Sequence, residues 1–270
     1  AFDLQSRKAE TVFSSGEIPV QSDYISIPES IEYEAAPGEM VQAFYYPPKN
    51  PDYLAHEPPP LLVTSHGGPT GSASLSFSLL TQFWTTRGFA VVDVNYSGSS
   101  GFGRKYRDRL KANWGIKDVR DCEQAAVHLV KEGLADKNRI AIRGGSAGGF
   151  TTLCALTFTG TFQAGASHFG LSDLEILARE THKFESRYMD SLIGPYPQSI
   201  EVYKQRSPIN HIEKLSCPVI FFQGLEDRVV PPNQAERMYQ ILCKKGFATA
   251  YVSYEGEGHG FRKAENIKHS

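Results

Sequence analysis

Cysteine is scarce here: four residues in 270, none in C-x-x-C spacing. That excludes a legible disulfide framework or a zinc site. Three of Cys122, Cys154, Cys217 and Cys243 fall in apolar stretches and read as buried free thiols, which favours a reducing, cytoplasmic setting. An excess of either charge is missing too. The formal net charge is −2 and no basic run occurs, so there is no footprint for nucleic acid. Long apolar runs are absent: Val219 to Phe222 falls far short of the ~20 residues needed to cross a bilayer, so no membrane partner is expected. The first residues show no signal-peptide pattern, and none is expected. What remains is ordinary soluble composition, 40 % hydrophobic and 21 % charged. The length fits one large α/β domain better than two small ones.

Strand-like and helix-like segments alternate. Two strands are expected in "YISIPESIEY" and "MVQAFYYP", followed by a proline-rich loop from Pro47 to Pro60. Then come "LLVTSHGG" (strand), "FSLLTQFWTTRG" (helix), "FAVVDVN" (strand) and "DVRDCEQAAVHLVKEG" (helix). The second helix carries Val119, Cys122, Ala125, Ala126, Leu129 and Val130 on one stripe, with Gly133 behind it. "RIAIRGG", "AGASHFG", "CPVIFFQG" and "ATAYVSYE" read as strands. "AGGFTTLCALTF" and "NQAERMYQILCKKG" read as helices. The order implies a mostly parallel twisted sheet with helices on both faces. Asp173 to Leu215 breaks the rhythm with short helices and reads as an excursion over the sheet edge. Residues 1–22 lack periodicity and read as a linker or arm.

Gly144-Gly145-Ser146-Ala147-Gly148 matches G-x-S-x-G between a strand and a helix, the context this motif requires. A sharp strand-to-helix turn strains the turn residue and crowds its neighbours, so glycines flank it. The turn leaves the Ser146 hydroxyl exposed, with the Ala147 N–H and a helix N-terminus beside it. A phosphate loop of the form G-x-x-x-x-G-K-[ST] is absent. A serine hydroxyl is a poor nucleophile without a base, and the base needs an orienting acid. His259 in "GEGHGF" follows the last strand, where a loop can carry an imidazole over the sheet. His66 comes before the serine, the wrong order for the base. His128 and His168 fall in a helix and a strand, and the remaining histidines lack a matching context. For the acid, Asp227 after "VIFFQGLE" is favoured over Asp173 and Glu226. "SHGGP", from Ser65 to Pro69, supplies a glycine loop whose Gly68 N–H fits a second oxyanion donor.

The motifs "SHGGP", "VNYSGSSGFGRKYR", "WGIKDVRDC", "IRGGSAGG", "QGLEDRVVPPNQAE" and "EGEGHGFR" occur in this order from Ser65 to Arg262. Together they resemble the prolyl oligopeptidase family of serine peptidases, in its acylaminoacyl-peptidase or dipeptidyl-aminopeptidase-like branch. The resemblance implies an α/β-hydrolase fold over residues 23–270, with Ser146 as nucleophile, Asp227 as acid and His259 as base. It also implies the Gly68 and Ala147 N–H groups as oxyanion hole. It further implies a β-propeller ahead of the domain, of which residues 1–22 would be the end of the connection. The closing helix begun in "KAENIKHS" reads as truncated.

The expected chemistry is hydrolysis of short peptides through an acyl-enzyme, without metal or organic cofactor. A carboxylesterase on the same fold, or a non-catalytic scaffold, stands as the alternative. Glu185 and Arg187, in "THKFESRYMD", are expected near the site. A carboxylate there suits a peptide's free amino terminus, and a solvated charge cluster fits the same residues.

Overall fold

The first strands are local. Phe2–Asp3 (β1) and Lys8–Ala9 (β2) pair antiparallel, exposed to solvent and separate from the main sheet. The Asp3 carboxylate holds this turn by accepting from the Gln5 and Ser6 N–H groups, so the arm carries a hairpin that its composition did not announce. The computed structural model describes residues 1–13, 20–53, 56–180, 187–215 and 217–270.

The main sheet opens with Glu29–Ala36 (β3) and Glu39–Tyr46 (β4), an antiparallel pair turning at Gly38, whose φ of +74° suits glycine. Leu61–Ser65 (β5), Ala90–Asn95 (β6), Ile140–Gly145 (β7), Ala164–His168 (β8), Val219–Gly224 (β9) and Thr249–Tyr254 (β10) complete it. The spatial order is β10-β9-β8-β7-β5-β6-β4-β3. Only β4 runs against its neighbours; the other contacts are parallel.

The helices divide between the faces. Lys117–Lys131 (α3) and Ala147–Phe158 (α4) pack together on one face, with Asn233–Lys244 (α8) beside β9 and β10. The expected stripe of α3 is buried at Val119, Cys122, Ala125, Ala126 and Leu129, with Val130 half-buried. α4 has almost no polar side to show: every residue up to Thr157 is buried, so it is the helix around which the core closes. Leu61 and Val63 join that core, while Leu62 between them points to the opposite face. There it meets Trp84 on Leu79–Thr85 (α1).

Arg104–Asp108 (α2) follows β6. The excursion resolves into Leu174–Glu180 (α5), Tyr188–Leu192 (α6), Ile200–Arg206 (α7) and a 3₁₀ segment, Pro208–Lys214. It packs inward through Leu174, Met189, Leu192, Tyr203 and Ile212. Ala264–His269 (α9) follows β10. This is the α/β-hydrolase fold. All four cysteines are free, Cys243 alone being exposed. Among the described residues, no helix is long and apolar enough to cross a membrane.

Candidate active site

At the end of β7 the chain must turn into α4 within one residue. Ser146 takes that turn at φ 57°, ψ −122°, a conformation that costs a non-glycine residue about 1–3 kcal/mol. The strain is held from outside. The Ser146 N–H donates to the His168 carbonyl at 3.0 Å, and Ser65 Oγ donates to the Gly148 carbonyl at 2.9 Å. The flanking glycines serve close approach rather than unusual torsions. A methyl group at Gly144 would overlap Ser65 Oγ and the Gly148 carbonyl. One at Gly148 would overlap the Ser65 carbonyl, and one at Gly149 would lie 2.6 Å from Gly170 Cα.

Two other loops at the same sheet end bring the partners. His259, after β10, has Nε2 2.9 Å from Ser146 Oγ and Nδ1 2.9 Å from Asp227 Oδ2. A carboxylate only accepts, so Nδ1 carries the proton and Nε2 is left to accept the Ser146 hydroxyl. Asp227, after β9, is buried. Its Oδ1 accepts the Val229 and Val230 N–H groups, both at 2.9 Å, and the Gln223 amide reaches Oδ2 at 3.4 Å. The neighbouring Val229 and Pro231 therefore stiffen a loop that the aspartate itself ties. The structure brings together Ser146, His259 and Asp227. It leaves Asp173 at the start of α5, accepting the Glu175 and Ile176 N–H groups. Glu226 contributes its N–H to the Glu257 carbonyl, which joins the two loops.

Two residues of this region have no role that the sequence alone assigns. Glu257 is 1 % exposed and accepts three donors: the Arg262 and Lys263 N–H groups at 2.9 Å and the Asn266 amide at 2.7 Å. It thus ties down the loop carrying His259; the only hint was an acid two places before the histidine. Glu257→Gln keeps the shape but turns one acceptor into a donor facing an N–H. We expect kcat to fall by up to about 10²-fold through misplacement of His259, checked by steady-state anilide hydrolysis. The second is Phe169, at φ +40°, whose ring meets His259 edge-on at 5.0 Å and Phe261 at 5.4 Å. It packs its edge against one side of the imidazole.

Beside Ser146 stand the N–H groups of Gly68 and Ala147. Neither has a hydrogen-bond partner among the described residues, and both residues line the cleft at Ser146. Each donor of this kind is worth about 2.7–4 kcal/mol to an oxyanion. Among the described residues, the cleft continues between Trp114, Leu171, Leu177, Tyr188, Met189, Val229 and Val230, none of which carries a charge. Three of its lining residues, Leu177, Tyr188 and Met189, come from the excursion. Arg187 is not among its lining; it pairs with Asp190 at 3.1 Å on the surface. Glu185 lies outside the described residues. His168 is a core residue, stacked on Phe222 and hydrogen-bonded to Arg143 at 3.1 Å; burial pushes it down to about 3. His128 stacks on Tyr33.

Known proteins resemble this chain in sequence and in fold. The family model "Prolyl oligopeptidase family" matches residues 75–270. A puromycin-hydrolysing peptidase of Mycobacterium tuberculosis is 48 % identical, with a TM-score of 0.90 over 92 % of this chain and 38 % of its own. A crystallised puromycin hydrolase is 41 % identical, with a TM-score of 0.94 over 98 % of this chain and 41 % of its own. Dipeptidyl aminopeptidase BIII of Pseudoxanthomonas mexicana is 32 % identical over 81 % of this chain and 33 % of its own. The chain spans about a third of the length of the curated relatives it matches. With a family match over most of its length and a near-complete structural overlay, the chain belongs to the prolyl oligopeptidase family.

Proposed function

We propose that this chain is the catalytic part of a serine peptidase that hydrolyses short peptides through an acyl-enzyme. The reading rests on one observation: an unbroken hydrogen-bonded line from Ser146 through His259 to buried Asp227, beside two unclaimed N–H donors. His259 Nε2 takes the hydroxyl proton as Ser146 Oγ attacks the peptide carbonyl. The oxyanion accepts from the Gly68 and Ala147 N–H groups. The C–N bond breaks as His259 returns the proton to the leaving amine. Water, deprotonated by His259, then attacks the ester, and Ser146 leaves with its proton restored.

The lining of the cleft supports a preference for an apolar side chain on the acyl side of the cleaved bond. One methylene in such a pocket is worth about 1–3 kcal/mol, or about 10–200-fold. Leucyl and phenylalanyl substrates are therefore expected to exceed glycyl ones by at least about tenfold, with charged residues below them. A peptide-library cleavage profile, with Ser146→Ala as control, tests both the reaction and the preference. Turnover of esters without amides would make the chain a carboxylesterase, and a Ser146 inert to fluorophosphonate would make it a scaffold.

Three finer points belong to the same reading. Glu185 is the candidate for holding a free amino terminus; a preference for free over N-acetylated dipeptide anilides that survives Glu185→Ala ends that assignment. In the parent protein, residues 1–22 lead from a propeller that limits peptide size into the domain of residues 23–270. Unpaired thiols fit a cytoplasmic protein.

A further inference from the structure

His66 follows β5 and precedes the Gly67–Gly68 peptide. Its imidazole is clamped on several sides. The ring stacks on Tyr96, centroids 4.2 Å apart and planes within 14°, and the Tyr96 hydroxyl donates to the His66 carbonyl at 2.8 Å. Nε2 lies 2.6 Å from Ser99 Oγ, and Nδ1 lies 2.8 Å from the Gly67 carbonyl oxygen. Burial pushes this histidine down to about 4, so the ring is neutral and carries one proton. A carbonyl only accepts, so that proton sits on Nδ1, and Nε2 accepts from the Ser99 hydroxyl. The Ser99 hydroxyl also stands 2.7 Å from the Tyr96 carbonyl as a donor; with the ring proton on Nδ1 it turns its one proton to Nε2, and that carbonyl keeps the Ser99 N–H at 3.0 Å.

We propose that His66 is the positioning residue of the oxyanion site: its Nδ1–H holds the Gly67 carbonyl and thereby aims the Gly68 N–H at the carbonyl under attack by Ser146. The link is covalent geometry. A trans peptide is planar, and its C=O and N–H point in opposite directions. Anchoring the Gly67 oxygen on one side therefore fixes the Gly68 N–H on the other. The segment needs such an anchor. Gly67 and Gly68 have no side chains to pack, Gly68 sits at φ +124°, and its N–H has no partner among the described residues. Rotation of this peptide would withdraw a donor and present a carbonyl oxygen to the oxyanion instead. His66 itself is absent from the lining of the cleft at Ser146, so it acts through the backbone.

The inference rests on the acyl-transfer reading, and three variants test it. Asparagine places its amide nitrogen where Nδ1 stands, and glutamine places its own near Nε2. His66→Asn keeps a donor for the Gly67 carbonyl; His66→Gln reaches only Ser99; His66→Ala keeps neither. For Gln and Ala, kcat falls by about 10²–10³-fold with KM within about threefold, the loss typical of one oxyanion donor, and Asn recovers at least about tenfold over Gln. Inhibition by a peptide boronate, which mimics the tetrahedral oxyanion, weakens in step with kcat, while binding of the cleaved peptide product does not move. If the Ala variant fails to fold, the Asn–Gln comparison decides alone, since both lose the stacked ring. Equal kcat for Asn and Gln, or boronate affinity unmoved by His66→Gln, overturns the proposal and leaves His66 a packing residue. A wild-type chain that neither cleaves peptides nor labels at Ser146 removes the acyl-transfer reading itself, which the variants alone do not.

Discussion

Ser146→Ala lowers kcat for a peptide anilide by on the order of 10⁶, and removing His259 as well lowers it no further. The reason lies in the line of bonds. Once Oγ is gone there is no proton for His259 to take, and once Nε2 is gone Oγ stays a weak nucleophile. The single and double variants therefore meet at one floor, which the Gly68 and Ala147 donors and the cleft sustain. Asp227→Asn is smaller but more diagnostic. Val229 and Val230 both donate to Oδ1, so the oxygen of the new amide stays there and its nitrogen faces His259. Two donors cannot share that bond. The imidazole must give up its Nδ1 proton and carry one on Nε2, pointed at Ser146 where an acceptor is required. A fall of about 10⁴ in kcat follows with the loops in place. The check is turnover of one anilide by the four variants. Additive losses for Ser146→Ala and His259→Ala, or wild-type turnover without Ser146, would place the chemistry elsewhere.

The parts of this protein that were legible in the sequence are those set by short-range pattern. The inner strands β5, β6 and β9 are largely apolar because helices cover both their faces, and α3 shows its buried stripe because its other side meets water. Ser146 was legible because the turn that presents it demands glycine on both sides. Asp227 and His259 were legible as polar residues just past strand ends. The hairpin at Phe2–Ala9 was not, because two-residue strands held by one aspartate leave no periodicity. Asp173 to Leu215 is legible as an excursion with short helices, but not helix by helix, since α5, α6 and α7 are each too short for a helical stripe; that α5 and α6 wall the cleft depends on contacts with residues far along the chain. The same holds for His66, Glu257 and Phe169. His66 meets Tyr96 and Ser99 some thirty places away, and its role passes through a peptide plane rather than through its own reach. A rule of chain order excluded it as the base and was silent about any other use.

Gly148→Ala decides whether the end of the serine motif is a matter of helix propensity or of space. Gly148 lies in the first turn of α4 without a left-handed torsion, so propensity alone favours alanine there by up to about 1 kcal/mol. Space says the opposite. The new methyl would overlap the Ser65 carbonyl oxygen and stand 2.8 Å from the His66 carbonyl oxygen. The Ser65 carbonyl belongs to backbone held in the sheet and the His66 carbonyl is held by the Tyr96 hydroxyl, so no rotamer change relieves them. Overpacking of this kind costs about 1–3 kcal/mol and more where backbone must move, which exceeds the propensity gain. We expect a net loss of about 2–3 kcal/mol or more and a Tm lower by about 5–10 °C. Gly160→Ala is the control: no atom lies within 4 Å of its added methyl, and its stability should stay within about 0.5 kcal/mol of wild type. Activity falls further than stability in Gly148→Ala, because the displaced end of β5 carries His66, Gly67 and Gly68 away from Ser146. Thermal unfolding and anilide turnover of the two variants separate the cases. A Gly148→Ala protein as stable and active as Gly160→Ala would mean that β5 and α4 do not meet as closely as this fold requires.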